Sequence, residues 1–448
     1  MDHHQAPAQP QTPVSLAEAA RFWLQLGLIS FGGPAGQIAL LHSELVDRRR
    51  WLSERRYLHA LNYCMLLPGP EATQLATYIG WLMHGTVGGL LAGGLFVLPA
   101  VAVLTALATI YVTWGELPLL ASVFWALQPA VVAIVLQAAV RVGSRTLFNR
   151  WLAGIALAAF LGLTLLRIPF PAVIAAAAFC GWLLNRWRPA LLVKPSSNAT
   201  AAAASASPGA DALHNDDTPT PDHGRFSPQR LAQTLLIAGL ALAVPLAGVS
   251  WWGGWDGVLA TMARFFTRVA LVSFGGAYAV LPYVAQGAVE RFQWLSASQM
   301  VDGLALGETT PGPLIMVVAF VGFMGGWSQL GSWGGAVAAT LTVVWFTFLP
   351  SFVFILAGAP LVESSRGDLR LGAPLTAITA AVVGVIVNLA VLFARPVLWP
   401  EAGPFNSAAL LILLGSLLCL LRWRWSVLQL IAAAAGLGVL RWALALLP

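Results

Sequence analysis

Two acidic residues lie beside breaks in otherwise apolar stretches. Glu71 directly follows Pro70, and Glu308 lies three residues before Pro311. An acid inside an apolar segment is costly to desolvate and marks a working position by default. The purely structural alternatives are a helix N-terminal cap for Glu71 and a hydrogen-bonded packing role for Glu308. Gln37, Asn62, Thr73, Gln74, Thr309 and Thr310 lie close by in sequence and can donate hydrogen bonds to an oxyanion, although helical Thr often bonds its own backbone. Arg21 and Arg264 occupy equivalent positions, with Arg268 one turn beyond Arg264. They could pair with an anion or sit at a membrane interface, and the cost of burying Arg favours the interface. A carboxylate near a doubly negative ion tends to take up a proton because like charges repel. These acids could therefore link proton binding to anion binding.

Other chemistries find little support. Four of the seven His, namely His3, His4, His214 and His223, fall in tails, and His42, His59 and His84 are not spaced as a metal set. Cys64, Cys180 and Cys419 stand far apart, which excludes a disulfide framework and a CxxC site. No catalytic His, Cys or Asp cluster and no ATP-binding motif is present, so neither an enzyme nor a cofactor is expected. No basic patch is interleaved with aromatics, which argues against nucleic acid.

The elements that must place these residues occur twice. Arg21 to Pro70 reappears as Arg264 to Pro313 at a constant offset of 243, with 16 of 50 positions identical. The shared landmarks are Ser30-Phe31-Gly32-Gly33 with Ser273-Phe274-Gly275-Gly276, Trp51-Leu52-Ser53 with Trp294-Leu295-Ser296, and Pro68-Gly69-Pro70 with Pro311-Gly312-Pro313. Three punctuated motifs in step indicate an internal duplication. At an offset of 251 it continues, Leu98-Pro99 matching Leu349-Pro350 and Ala130-Val131-Val132 matching Ala381-Val382-Val383.

Only 9% of the 448 residues are charged and 58% are hydrophobic. Apolar runs such as Gly88 to Val112 are long enough to cross a hydrocarbon core as helices. The chain reads as an all-α polytopic membrane protein of about thirteen apolar segments, and its net charge of +6 comes from Arg at segment ends. A polar tail covers residues 1–14, with no cleavable signal expected. The first membrane repeat runs over 15–188, and a disordered cytoplasmic linker rich in Ala, Ser, Pro and Asp over 189–229. An unpaired linking span follows at 230–250, then the second repeat at 258–448.

Arginine placement predicts opposite orientations for the copies. Arg48, Arg49, Arg50, Arg55 and Arg56 follow the first Gly-Gly segment in a stretch, Ser43 to Tyr57, expected to lie in water on the cytoplasmic side, and Arg141, Arg145 and Arg150 follow a later one. The matching second-half loops carry only Arg291 and Arg395. In the complementary loops Arg167 alone faces Arg366, Arg370, Arg422 and Arg424. The positive-inside rule then gives inverted repeats, provided that the Gly-Gly and Pro-Gly-Pro segments are broken or re-entrant helices. Matched broken helices point to a substrate site near the membrane midplane. Four helix N-termini, after Gly33, Pro70, Gly276 and Pro313, would present about two positive charges, suited to a divalent oxyanion. Kinking or close helix packing is the structural alternative for any one break.

With these residues laid out, the chain resembles the chromate ion transporter family in its long, two-repeat form. The likeness rests on Ser30-Phe31-Gly32-Gly33-Pro34, Leu67-Pro68-Gly69-Pro70-Glu71-Ala72-Thr73-Gln74, Ser273-Phe274-Gly275-Gly276-Ala277-Tyr278 and Glu308-Thr309-Thr310-Pro311-Gly312-Pro313. It implies a multi-pass carrier of the bacterial inner membrane that exports chromate and confers resistance, with sulfate as a competitor. Gly32, Gly33, Pro34, Gly275, Gly276 and the two Pro-Gly-Pro turns would shape its site. The copies differ where Ala277 replaces Pro34 and Leu314 replaces Glu71, so the halves need not contribute equally. Alternatives are a sulfate or other oxyanion carrier and an anion channel. Export could run on membrane potential alone or be proton-coupled, and a homodimer is compatible with either.

Overall fold

The computed structural model describes residues 14–187, 212–214, 222–365, 372–400 and 403–446. Within them lie sixteen α-helices and one isolated β-bridge. Seven helices are long and apolar enough to cross a membrane, with three shorter apolar ones beside them. The expected thirteen stretches do not map one to one onto these helices: the Gly-Gly and Pro-Gly-Pro breaks divide four of them, while Glu71–Trp114 runs as one kinked helix across the boundary between two of the stretches.

The first half holds α1 (Leu16–Ile29), α2 (Gly33–His42), a π-helical turn (Ser43–Arg48), α3 (Glu54–Leu66), α4 (Glu71–Trp114), α5 (Pro118–Thr146), α6 (Arg150–Thr164) and α7 (Phe170–Trp187). After α8 (Pro228–Gly253) come α9 (Val258–Leu271), α10 (Ala277–Ala285), a second π-helical turn (Gln286–Arg291) and α11 (Ala297–Thr309). A 3₁₀ turn (Leu314–Met316) leads into α12 (Val317–Leu330), followed by α13 (Trp333–Ser365), α14 (Gly372–Leu398), α15 (Ser407–Leu421) and α16 (Val427–Ala445). Stretches that match in sequence adopt matching elements, down to both π-turns. Helix α4 corresponds to α12 plus α13, and kinks at His84 and Gly85 near where Gly331 ends α12.

Each landmark has a local cause. Trp51-Leu52-Ser53 and Trp294-Leu295-Ser296 are helix starts. The Trp and Leu are buried, while Ser53 accepts from the Arg56 amide at 3.2 Å and Ser296 from the Gln299 amide at 3.1 Å. The Gln299 side-chain oxygen in turn accepts from the Ser296 amide at 2.9 Å, closing a capping box.

Packing exchanges partners between halves. Helix α5 packs on α15 and α16, α14 on α6 and α7, and α5 and α14 on each other. One apolar core draws Val131 and Ile134 together with Val382 and Ile386. At Gly384 a methyl group would meet the Ala156 carbonyl oxygen at 1.9 Å, so α14 approaches α6 as closely as only glycine permits. The unpaired α8 lies outside, against α9 and α13, with Trp345 donating to the Ala241 carbonyl at 2.9 Å.

Two expectations change. Arg56, expected in water, is buried, and its guanidinium pairs at 3.4 Å with Glu363 of α13, which also accepts from Tyr78. Lone buried charges are too costly to persist, so Arg56 and Glu363 stay together. The linker reading at 189–229 falls largely outside the described residues, as do tail residues 1–13, Arg366 and Arg370. Its described pieces are ordered: Leu213 and His214 donate to the carbonyls of Arg50 and Trp51 at 3.0 Å, and His223 sits edge-on to Trp81.

Candidate functional site

All four expected breaks are present, and each begins a helix. Gly32 and Gly276 are the N-caps of α2 and α10, Pro70 precedes α4, and Pro313 precedes the turn into α12. At 1.5 Å per residue the 10-residue α2 and 9-residue α10 are about half a bilayer long.

The breaks meet in crossed pairs. In Pro-Gly-Pro the prolines have no amide hydrogen, so the glycine carries the only donor of a buried turn, and that donor must be satisfied. Gly69 donates to the Ser273 carbonyl at 2.7 Å and Gly312 to the Ser30 carbonyl at 2.9 Å. Each half therefore binds its Pro-Gly-Pro turn to the serine two residues before the other half's Gly-Gly. The glycines have φ of +131° and +108°, and a methyl group on them would meet Ser351 Oγ at 2.2 Å or Ala100 Cβ at 2.5 Å. Ser351 and Ala100 are themselves equivalent positions at the offset of 251.

The two kinds of break differ in exposure. Pro68 to Pro70 and Pro311 to Pro313 are buried, whereas Gly32 and Gly275 are exposed and Gly33, Pro34 and Gly276 half-buried. Nothing lies within 4 Å of a methyl group placed on Gly33 or Gly276. A cleft of about 420 Å³ lies between α1 and the first π-turn, lined in part by Gln25, Ile29, Glu44, Arg48 and Arg49. Ile29 adjoins the Ser30 crossing, so this cleft, with two arginines to one glutamate, reaches toward it.

Gln37 is buried, and its amide donates to the carbonyls of both Ser30 and Gly312, clamping that crossing. Gln74 donates to the Pro68 carbonyl at 2.8 Å, and Thr73 lies beside it, buried. Glu71 is half-buried in the first turn of α4. Glu308 is buried and accepts from the Tyr278 hydroxyl, with the charge of Arg141 on α5 acting on both. Thr309 and Thr310 bond back to the carbonyls of Leu306 and Gly307. The arginines stand apart: Arg21 and Arg268 are exposed, and Arg264 reaches back to the Trp255 carbonyl at 2.8 Å and to Asp256 at 3.6 Å.

Sequence reasoning missed several groups. Arg141 and Ser351 carry no local signal of proximity to the breaks, and Tyr278, although two residues after Gly276, gives no sign in sequence that it meets Glu308. Asp302 of α11 is buried between Tyr111 and Gln128, at 2.8 and 2.9 Å. Its place within an apolar run was the sign that could have found it.

The family model described as chromate transporter matches residues 17–182 and again 260–439, one match to each half. The chain belongs to the chromate transporter family. A chromate transport protein of Pseudomonas aeruginosa is 33% identical over 377 residues, covering 84% of this chain and 80% of that protein. Another, from Cupriavidus metallidurans, is 28% identical over 383 residues, covering 85% and 83%. An uncharacterized transporter of Bacillus subtilis is 28% identical over 148 residues, 32% of this chain and 75% of its own. No solved structure matches. Chromate transporter family members are transporters and not enzymes, and the apolar helices make this one a multi-pass membrane protein.

Proposed function

We propose that this protein is a secondary carrier exporting chromate across the bacterial inner membrane, conferring resistance to it. The two halves are inverted repeats about one central site, joined by the unpaired α8. The observation that carries the reading is the crossed pair of contacts, Gly69 with Ser273 and Gly312 with Ser30. It joins the four broken segments in two pairs, and in this reading their helix N-termini offer partial positive charge to a doubly negative ion. The family assignment and the names of the curated relatives support chromate as the ion.

The substrate-binding residues in this reading are Gly32, Gly33, Pro34, Gln37, Pro68, Gly69, Pro70, Glu71, Thr73, Gln74, Gly275, Gly276, Glu308, Thr309, Thr310, Pro311, Gly312 and Pro313. Arg21, Arg264 and Arg268 act at the membrane interface. An inside-negative potential favours export of a dianion by about 2.3 kcal/mol per charge per 100 mV. Glu71 and Glu308 add proton coupling.

The test is flux of labelled chromate in everted membrane vesicles, with voltage and pH gradient dissipated separately and sulfate as competitor. Expected is saturable uptake that falls when voltage is collapsed and is reduced by excess sulfate. Flux that rises linearly with chromate and is indifferent to voltage would sink the carrier reading.

A further inference from the structure

The two crossings are not chemically alike. Around Gly69, four buried side-chain oxygens have no hydrogen-bond partner: Thr73 Oγ1, Gln74 Oε1, Ser273 Oγ and Ser351 Oγ. Each belongs to a residue no more than 2% exposed. Ser351 Oγ and the Gln74 amide face Gly69 directly, Ser273 holds its amide, and Thr73 lies in the same turn of α4 as Gln74. At the equivalent positions of the Gly312 crossing stand Met316, Val317, Ser30 and Ala100. There the only hydroxyl, that of Ser30, donates to the Gly27 carbonyl, and Gln37 closes the remainder. The crossing as such therefore does not require the oxygens. Orphaned oxygens in a buried place call for an occupant, since each is costly to leave unpaired.

The sign of the occupant follows from Gln74. Its nitrogen is fixed by donation to the Pro68 carbonyl, which can only accept, so the free atom is the oxygen. A carbonyl oxygen cannot bond an anion. The three hydroxyls can turn to present lone pairs as well. The C-terminal ends of α3 and α9 also come to this place, through Pro68 and Ser273, and helix C-termini favour positive charge. The N-terminus of α4 opposes them, offset by Glu71 in its first turn. Unwound helix ends of this kind hold coupling cations in repeat-built carriers.

We propose that the Gly69 crossing is a sodium site within the substrate region, formed by the side-chain oxygens of Thr73, Gln74, Ser273 and Ser351, so that Thr73 and Gln74 hold a cation beside the oxyanion and not the oxyanion itself. The proposal rests on the carrier reading above. Sodium bound there offsets one charge of the dianion held beside it.

The experiment is equilibrium binding of radioactive sodium to the full-length protein in lipid nanodiscs, with potassium or choline as replacement, and labelled chromate binding on the same preparation. Expected is saturable sodium binding near one ion per chain that equal potassium does not displace. Ser351→Ala, which installs the residue of the other crossing, and Ser273→Ala should each weaken it at least tenfold. Ser30→Ala should leave it within twofold. Chromate binding without saturable sodium binding overturns the site, its oxygens then holding buried water only, and leaves the carrier reading standing. Sodium binding unmoved by both serine variants also overturns it, and binding of neither ion overturns site and carrier together. If Ser351→Ala does not fold, Ser273→Ala decides alone.

Discussion

Glu308 is buried with a single hydroxyl partner, and one atom carries the difference between its charged and neutral forms. If it takes up a proton when the dianion arrives, chromate binding tightens as pH falls, by up to about tenfold per pH unit for one proton. Replacing it, Glu308→Gln, should flatten that dependence in equilibrium binding to purified protein. Binding by the unaltered protein that ignores pH would exclude the coupling. Gly312 offers a separate test. Its φ of +108° and the 2.5 Å approach to Ala100 predict that Gly312→Ala costs on the order of 1–3 kcal/mol and stops transport. Gly94→Ala, within α4 and with nothing within 4 Å, should instead stabilise by about 0.5–1 kcal/mol, read as a higher melting temperature.

Among the elements, the docked linker piece is the one tied to water-exposed pH. Burial, joined by the charges of Arg56, His84 and His223 and opposed by Glu363, pushes the His214 imidazole down to about 4. A histidine held below its ordinary value near 6.5 is neutral when docked. The docking energy is fully present above about 6.5 and is lost as pH falls toward 4. Hydrogen exchange at the Leu213 and His214 amides should therefore quicken over that interval relative to intrinsic rates. In His214→Phe the interval should vanish. Equal protection at pH 7 and pH 4 would show that the imidazole does not govern the contact. The broken helices obey a different logic: short elements such as α2 and α10 persist because their ends are held by the opposite half.

For the whole molecule, inversion is the property that mutual packing invites and labelling can decide. Arg48 and Arg291 are equivalent residues, both exposed at the ends of the π-turns. In a cysteine-free background, Arg48→Cys should react with impermeant maleimide from the cytoplasmic face and Arg291→Cys from the periplasmic face. Labelling of both from one side would mean parallel copies. The exchanged packing of α5 and α14 also predicts that separately expressed halves associate when produced together, detectable by co-purification, since these helices bury their apolar faces against the opposite half.

What the amino-acid order determined by itself is local. Low charge and long apolar runs established the membrane class, the offset of 243 revealed the duplication, and Gly-Gly, Pro-Gly-Pro and Trp-Leu-Ser marked where helices stop and start. Those features act through φ, missing amide hydrogens and caps within a few residues of chain, so they are legible without neighbours. Which break faces which was decided only by tertiary structure, because the Gly69 and Gly312 amides find their acceptors more than 200 residues away. The same holds for Arg56, which reads as a water-facing loop cation until Glu363 arrives from the other half, and for Ser351, an ordinary helical serine until Gly69 comes against it. Burial and pairing are properties of contacts between distant segments, and packing of the two halves chooses among them.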